Sequence, residues 1–269
     1  MKKSFGQNLL IDQSFLNKII EAVKLEPDDL VLEIGAGTGL LTSLLTRQVS
    51  KVYAVEIERD ILKKLKANFS GFDNIEIIEK DILRVDLKSI FRKPFKVIGN
   101  IPYNITSKIL IKLFGDYDSP ATHLPLMQDV FLMLQLEVAE RIVAKPGTRA
   151  YGSLSLLIQY FSDPTILFKV PKHSFFPVPK VDSAFVHFKV KKELQYIKDP
   201  VALKSLIKKA FNQRRKKVIN ALVNLGIDKQ NLLEVFEKFN YNPNLRAENL
   251  AFQDYLNISH ELNQSVNKV

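Results

Sequence analysis

Short apolar runs alternate with helix-like segments over the first part of the chain. Apolar residues recur at helical spacing between positions 15 and 23, and Asp12 or Ser14 is placed to cap that helix. Four apolar runs have the length and composition of buried strands, at 30–34, 51–56, 75–78 and 95–98. Strands that alternate with helices predict an α/β domain with a parallel sheet.

Three later apolar stretches extend the predicted sheet to seven strands. They lie at 130–134, 166–170 and 184–190. The last two flank a proline-rich stretch at 171–179, so we expect them to pair as a hairpin. After Lys192 only helical spacing remains, in segments at 201–211, 217–225, 230–239 and 247–258. This change predicts two domains, an α/β domain at 1–192 and a small all-helical domain at 193–269.

Charge indicates the kind of partner. The 269 residues include 39 Lys and Arg against 29 Asp and Glu, which gives a net charge of +10. Residues 191–269 hold 14 basic and 8 acidic residues, so this segment carries +6, with its focus at 214–217. Such an excess favours a polyanionic partner through counterion release. Charge alone does not distinguish RNA, DNA and an anionic membrane.

Cysteine and histidine usage limits the chemistry. The chain has no cysteine, which excludes disulfides and thiolate metal sites. Its four histidines are scattered without the spacing of metal ligands or of a catalytic triad, so we expect no metal. No stretch has the apolar length of a membrane span, and the amino terminus lacks the core of a signal peptide. We therefore expect a soluble, cytoplasmic protein, monomeric by default.

A glycine-rich turn follows the first predicted strand. Its glycines, Gly35, Gly37 and Gly39, are spaced by two and two, whereas the dinucleotide fingerprint spaces its last pair by three. The spacing favours a nucleoside that carries an amino-acid tail over a pyrophosphate. Glu56 ends the second strand about twenty residues further on, where an acid can accept hydrogen bonds from ribose hydroxyls. Asp81 follows the third strand and can accept the amino group of an adenine.

The fourth strand runs into the loop Asn100-Ile-Pro-Tyr103. Asn100 offers an amide oxygen, and Pro102 favours an extended conformation at Ile101 that aims the Ile101 carbonyl outward. Tyr103 adds an aromatic face. Two acceptors and one ring suit the exocyclic amino group of a base, although an ordinary turn has the same composition. The four strand ends together predict a nucleoside site at one edge of the sheet.

These motifs resemble those of the S-adenosylmethionine-dependent rRNA adenine N6-dimethyltransferases of the KsgA type. The matching segments are Phe5-Gly-Gln-Asn-Leu-Leu-Ile-Asp12, Leu32-Glu-Ile-Gly-Ala-Gly-Thr-Gly-Leu-Leu-Thr42, 55–56, Asp81, Gly99-Asn-Ile-Pro-Tyr-Asn-Ile-Thr106, 137–141, 151–155, Gln159, Phe175-Phe-Pro-Val-Pro-Lys-Val-Asp-Ser183, 211–217, Asn220, Leu222 and 246–248. They cover nearly the whole chain in unbroken order. The resemblance implies a Rossmann-like class I methyltransferase with a seven-stranded sheet, a helical C-terminal domain, and S-adenosyl-L-methionine as co-substrate.

The resemblance also implies a role for each site residue. The segment from Asn8 to Leu10 would close over the cofactor, whose methionine part passes Gly35 and Gly37. Glu56 would hold the ribose and Asp81 the adenine of the cofactor.

The target adenine is implied to lie in the loop that follows the fourth strand. Asn100 and the Ile101 carbonyl would accept the two N6 hydrogens of the target adenine. Tyr103 would stack on one face of that base and Phe175 on the other.

A basic surface for RNA is the last implication of the resemblance. It comprises Arg149, Arg214, Arg215, Lys216 and Lys217, although such a run is usually a solvated helix face. One departure is Leu136, where the family commonly has a lysine, so an RNA contact at that position is in doubt.

The substrate implied is the terminal hairpin of small-subunit (16S) rRNA, with two adjacent adenosines dimethylated during ribosome maturation. Three alternatives stay open. They are the related large-subunit dimethyltransferase of macrolide resistance, a mainly non-catalytic assembly checkpoint, and a nicotinamide dehydrogenase. The glycine spacing disfavours the last of these.

Overall fold

The computed structural model describes residues 8–224 and 227–266. Residues 5–7 of the first motif and Leu225, the last residue of a predicted helix, lie outside the described residues. Within the part that is described, no helix is both long enough and apolar enough to cross a membrane.

The central feature is a seven-stranded sheet. The strands of the chain are β1 (Leu9–Leu10), β2 (Leu30–Ile34), β3 (Lys51–Glu56), β4 (Ile75–Glu79), β5 (Phe95–Asn100), β6 (Gly115–Asp116), β7 (Ser119–Pro120), β8 (Met127–Gln135), β9 (Ser162–Val170), β10 (Phe175–Phe176) and β11 (Ser183–Val190). The sheet order is β4-β3-β2-β5-β8-β11-β9. All pairs are parallel except those that β11 makes with β8 and β9. The seven predicted strands and the predicted hairpin are confirmed.

Burial explains why the central strands are continuously apolar. Val31, Leu32, Val97 and Ile98 are fully buried, as expected for parallel strands with both faces covered. The edge strand β9 begins four residues earlier than predicted and includes Pro164, which an edge strand tolerates because one side of its ladder is unpaired.

Helices connect and flank the strands. They are α1 (Gln13–Val23), α2 (Leu40–Leu45), α3 (Arg59–Phe69), α4 (Leu87–Ile90), α5 (Thr106–Phe114), α6 (Leu136–Ile142), α7 (Ser153–Phe161), α8 (Pro200–Asn212), α9 (Val218–Val223), α10 (Lys229–Lys238) and α11 (Phe252–Val266). Asp12 caps α1, since its carboxylate accepts the Ser14 N–H at 3.0 Å. Burial of Leu16, Ile19 and Val23 shows the predicted apolar face.

The helix predicted at 247–258 is wrong in its first turn. Residues 247–249 form a short 3₁₀ turn, in which the Asn249 side chain accepts the Arg246 N–H at 2.9 Å. The Ala251 N–H donates to the Asp254 carboxylate at 2.8 Å, a capping bond just ahead of Phe252. These side-chain hydrogen bonds satisfy the N–H groups of Arg246 and Ala251 outside a helix, so the α-helix begins only at Phe252.

The chain packs as two compact units. The first contains Met1–Gly115, Ala121–Ala139 and Ser162–Lys192, and the second contains Asp116–Pro120, Glu140–Phe161 and Glu193–Val269. Two segments of the predicted first domain, Asp116–Pro120 and Glu140–Phe161, therefore pack with the second unit. The functional division at residue 193 stays a prediction.

Candidate active site

Four neighbouring parallel strands end at one edge of the sheet in the first unit. In their register, Ile34 of β2 lies beside Val55 of β3 and Gly99 of β5, while Glu56 of β3 lies beside Glu79 of β4. The turn after β2, the end of β3, the segment after β4 and the end of β5 therefore meet. The structure brings together the cofactor-site residues that the sequence predicts on these four strands.

This edge is also where the strand order reverses. From β2 the chain builds β3 and β4 on one side, and then returns to place β5 on the other. Open α/β sheets bind ligands in the crevice at such a switch point. The glycine turn and the Asn100 loop lie on its two sides. A Cβ atom at Gly35, whose φ is +76°, would lie 3.0 Å from the Asn100 carbonyl oxygen, so glycine allows the two loops this close approach.

Glu56 is held by backbone donors on both of its oxygens. Oε2 accepts the Gly37 N–H at 3.0 Å, and Oε1 accepts the N–H groups of Ile57 and Glu58 at 2.8 and 3.0 Å. The side chain is 2% exposed. These bonds fix a carboxylate against the glycine turn.

Asp81 and the N-terminal strand complete the crevice. Asp81 is half-buried and caps a 3₁₀ turn, where Oδ1 accepts the Leu83 N–H at 3.0 Å. A pocket at the sheet edge is lined by Leu9, Leu10, Gly35 and Asn100, among others. Strand β1 therefore contributes a wall to the pocket, as expected for the segment predicted to close over the cofactor.

Asn100 has a fixed orientation. Its Nδ2 donates to the Asn8 carbonyl at 2.7 Å. Because the amide nitrogen is bonded there, Oδ1 is the atom that remains to accept a hydrogen from a ligand. Ile101 is 2% exposed, and Pro102 is extended, with φ −60° and ψ 125°. The main chain that follows Asn100 is thus buried at Ile101 and restricted at Pro102.

Tyr103 is held by a partner that the sequence did not indicate. Its hydroxyl lies 2.5 Å from Oγ of Ser183, a fully buried residue at the start of β11. Burial raises the pKa of the Tyr103 phenol, and the Ser183 hydroxyl acts in the opposite direction. The phenol therefore stays neutral at physiological pH, which suits a ring used for stacking.

The two phenylalanines of β10 point to opposite sides. Phe175, predicted to cover the target base, is 1% exposed and belongs to the hydrophobic core, whereas Phe176 is 60% exposed. A stacking role for Phe175 requires that its ring become uncovered, and it stays a prediction.

Glu33 is a buried acid in the pocket wall that sequence reasoning missed. It is 2% exposed, and Oε2 accepts the Thr42 hydroxyl at 2.6 Å. Burial raises the pKa of Glu33 to about 8, and the nearby Glu56 charge adds to the increase. The available signal was a single carboxylate within an apolar strand that leads into the glycine turn.

The predicted basic residues of the second unit fall into two groups. Arg214 is a scaffold residue, since Nη2 donates to the carbonyls of Arg149 and Tyr151 at 2.9 and 2.8 Å. Its Nε also lies 3.7 Å from the Glu248 carboxylate. The side chains of the second group are exposed, namely Arg149, Arg215, Lys216 and Lys217. Lys217 forms a backbone bridge with Arg246, which adds another exposed cation to this group.

The residue that replaces the usual family lysine lies at the start of α6. Leu136 is half-buried, and its N–H donates to the Asp182 carbonyl at 3.0 Å.

The sheet order, the crevice at its switch point and the acid that faces the glycine turn define a class I S-adenosylmethionine-dependent methyltransferase. The chain belongs to the ribosomal RNA adenine dimethylase family, whose model matches residues 1–264. Membership of this family excludes the dehydrogenase alternative.

Relatives and solved structures agree with this assignment. The chain is 38% identical to the ribosomal RNA small subunit methyltransferase A of Alkaliphilus metalliredigens, over 97% of this chain and 91% of the relative. It is similar in structure to a dimethyladenosine transferase from Plasmodium falciparum, with a TM-score of 0.80 and 29% identity over 96% of this chain and 98% of the other. It is also similar to the 23S rRNA methyltransferase ErmE, with a TM-score of 0.71 and 25% identity over 96% and 100% of the two chains.

Proposed function

We propose that this enzyme transfers methyl groups from S-adenosyl-L-methionine to N6 of two adjacent adenosines in the 3′-terminal hairpin of 16S rRNA. Relatives that carry the small-subunit name support this choice of RNA over the large subunit. The observation that carries the proposed chemistry is the fixed Asn100 amide, because it presents an oxygen to an exocyclic amino group. Each adenosine receives two methyl groups, so four cofactor molecules are used.

In the proposed mechanism the protein positions N6 and supplies no nucleophile. Asn100 Oδ1 and the Ile101 carbonyl accept the two N6 hydrogens, and Tyr103 stacks on the base. Held in this way, N6 directs its lone pair at the methyl carbon. The N6–C bond forms as the S–C bond breaks, the sulfur keeps the bonding electrons, and N6 releases one proton to solvent. The cofactor supplies an activated methyl group, and positioning accounts for most of the acceleration.

The second transfer follows the same route with one difference. Monomethylated N6 has a single hydrogen, so only one of the two acceptors is engaged. The base must shift so that its first methyl group moves away from the acceptor that no longer receives a hydrogen. Stacking on Tyr103 allows this shift, because a base can slide within its plane on an aromatic ring.

The residues that line the crevice are proposed to bind the cofactor. Glu56 accepts from the ribose hydroxyls and Asp81 from the adenine amino group, while Leu10 and the Asn8 backbone cover the site. The glycines at 35 and 37 leave room for the methionine part. The buried Glu56 carboxylate and the half-buried Asp81 carboxylate, each fixed by backbone donors, support these roles.

The exposed cations of the second unit are proposed to bind phosphates of the RNA. This group is Arg149, Arg215, Lys216, Lys217 and Arg246. We assign Arg214 to hold the 149–151 segment in place rather than to contact RNA. The partner is a small ribosomal subunit or its precursor in the cytoplasm, and we propose that a monomer acts on it.

Transfer of labelled methyl groups to isolated subunits tests the proposal. Small subunits that lack the terminal dimethyladenosines are the substrate, large subunits are the parallel sample, and Asn100→Ala is the variant. We expect label to appear as N6,N6-dimethyladenosine in the small subunit alone. We expect this label to be lost when Asn100→Ala replaces the wild-type enzyme. The exposed Asn104→Ala is the matched control and is expected to be active.

Each other outcome points to an alternative. Label confined to the large subunit would move the protein to the macrolide-resistance class. Tight RNA binding without any label would favour the non-catalytic checkpoint. Full activity of Asn100→Ala would remove the role given to that amide.

A further inference from the structure

The short ribbon formed by β1 and β10 has one face in the core and one face in solvent. Leu10 pairs with Phe175, and these side chains are 6% and 1% exposed. Leu9 pairs with Phe176, which is 60% exposed. Residues directly opposite each other in an antiparallel pair project from the same face. Phe176 therefore shares its face with Leu9.

Both residues of β1 border the methyl-transfer site, since Leu9 and Leu10 line the pocket. Leu9 lines the pocket, and one of its methyl carbons lies 2.7 Å from where a Cβ at Gly37 would be. The preceding residue, Asn8, bonds to the Asn100 amide. The chain direction in the ribbon places Phe176 toward the Asn8 end. The exposed ring thus stands on the rim of the site, on the side where the Asn100 loop begins.

Two exposed apolar residues lie close to this ring in the chain or in the ribbon, Ile11 and Val178. Ile11 continues the face of Leu9, since its N–H donates to the Ser174 carbonyl at 3.0 Å, and it is 53% exposed. Val178, two residues after Phe176, is 58% exposed. Exposed apolar and aromatic side chains suit the flat face of a base.

We propose that Phe176 is a stacking platform for the base next to the target adenosine. The inference rests on the proposed function, in which the two substrate adenosines are adjacent in sequence. When N6 of one lies at Asn100, the other must lie outside the pocket, and the exposed Phe176 ring offers an aromatic surface there. Phe176 then acts as a substrate-positioning residue, and it holds the second adenosine while the first is methylated.

Kinetics of Phe176→Ala and Phe176→Tyr give the first test. Loss of one base-stacking contact is expected to raise KM for the RNA about 10-fold, whereas Phe176→Tyr keeps it near the wild-type value. The Kd for S-adenosyl-L-methionine is expected to be unchanged in both. Tyr196→Ala, which removes an aromatic ring that is 76% exposed, is the matched control and leaves KM unchanged.

Fluorescence gives a second test, because the chain contains no tryptophan. Phe176→Trp introduces a single reporter, and stacking on a base quenches it. The probe is an RNA hairpin that carries the adenosine pair, compared with two hairpins in which one or the other adenosine is abasic. We expect the full hairpin to quench the fluorescence. We expect at least one of the two abasic hairpins not to quench it. Tyr196→Trp is expected to respond equally to all three RNAs.

Several results would overturn the proposal. Equal quenching of the Phe176→Trp variant by all three hairpins means that no base stacks there. A rise in the cofactor Kd that matches the rise in KM means that the ring acts only by supporting Leu9. A KM effect seen with intact subunits but not with the hairpin means that a ribosomal protein covers the ring. Failure of the proposed function is separate, since it appears as absent methyl transfer by the wild-type enzyme, and the inference then falls with it.

Discussion

The amide nitrogen of Asn100 and the carbonyl oxygen of Asn8 lie 2.7 Å apart, although 92 positions separate them in the chain. This bond ties the N-terminal segment to the loop that we propose holds the target base. It also decides which atom of the amide faces a ligand. In the proposed mechanism, closure over the cofactor and orientation of the Asn100 acceptor are therefore coupled.

Asn100→Asp tests this coupling. Aspartate keeps the shape of the side chain and its acceptor oxygen, but it has no donor for the Asn8 carbonyl and places a negative charge against it. We expect methyl transfer to fall at least about 100-fold, comparable to the loss of one oriented polar group in an active site. Single-turnover rates, measured beside Asn100→Ala and Asn104→Ala, check this. A rate near wild type would show that orientation of the amide does not depend on Asn8.

A series of glycine substitutions separates backbone strain from steric overlap. Gly39 has φ +92°, and a Cβ there would lie 2.4 Å from a ring carbon of Phe69. Gly147 has φ +85° with open space around it, and Gly71 has open space without a positive φ. We expect Gly71→Ala to be neutral, Gly147→Ala to lower stability by about 1–2 kcal/mol, and Gly39→Ala to cost more. Thermal denaturation of the three variants checks the order, and a Gly147→Ala loss as large as that of Gly39→Ala would contradict it.

Local patterns allowed much of the fold and part of the site to be predicted. Apolar runs and helical spacing depend on near neighbours, so the seven strands and the hairpin could be recognised. The edge that unites Gly35, Glu56, Asp81 and Asn100 followed from a general rule about parallel strands. Contacts between distant residues could not be recognised in this way. The bond between Tyr103 and Ser183 spans 80 positions, and nothing in either segment indicates the other.

Charge patterns have the same limit. A run of four basic residues predicts a surface, but it does not identify which side chain turns back toward the protein. Arg214 does so because two carbonyls of the 149–151 segment lie within reach of its guanidinium. Only the folded structure divides this scaffold residue from its exposed neighbours.

Arg214→Ala and Lys216→Ala are expected to affect different properties, the first the stability of the protein and the second its binding of RNA. Arg214→Ala leaves two carbonyls without their donor and should lower the stability of the protein by about 1 kcal/mol, because water can reach the more exposed of the two. Lys216→Ala should leave the melting temperature unchanged, because this side chain is exposed. It should reduce the slope of log affinity for RNA against log salt by about one. Calorimetry and salt-dependent binding check the two effects, and a lower melting temperature for Lys216→Ala would contradict this division.

Glu33 makes the stability of the protein depend on pH. Its pKa is about 8 in the folded protein, against a usual value of 4.5. Below about pH 4.5 the carboxyl is protonated in both the folded and the unfolded state, so it contributes no difference. Between these values the unfolded chain releases the proton while the folded protein keeps it, so the free energy of unfolding falls by about 1.4 kcal/mol per pH unit. Above about pH 8 the loss is complete and constant.

Glu33→Gln removes this titration and can still accept the Thr42 hydroxyl. In the protein free of cofactor, we therefore expect the stability of the variant relative to wild type to increase steadily from about pH 4.5 to about pH 8, and then to level off. Denaturant unfolding at pH 5, 6.5 and 8 measures the difference. Asp60→Asn is the matched control, since Asp60 is an exposed acid and its substitution should give the same small difference at every pH. A constant offset for Glu33→Gln would mean that the Glu33 carboxyl is already ionised in the folded protein, in which case its burial is compensated by a partner other than Thr42.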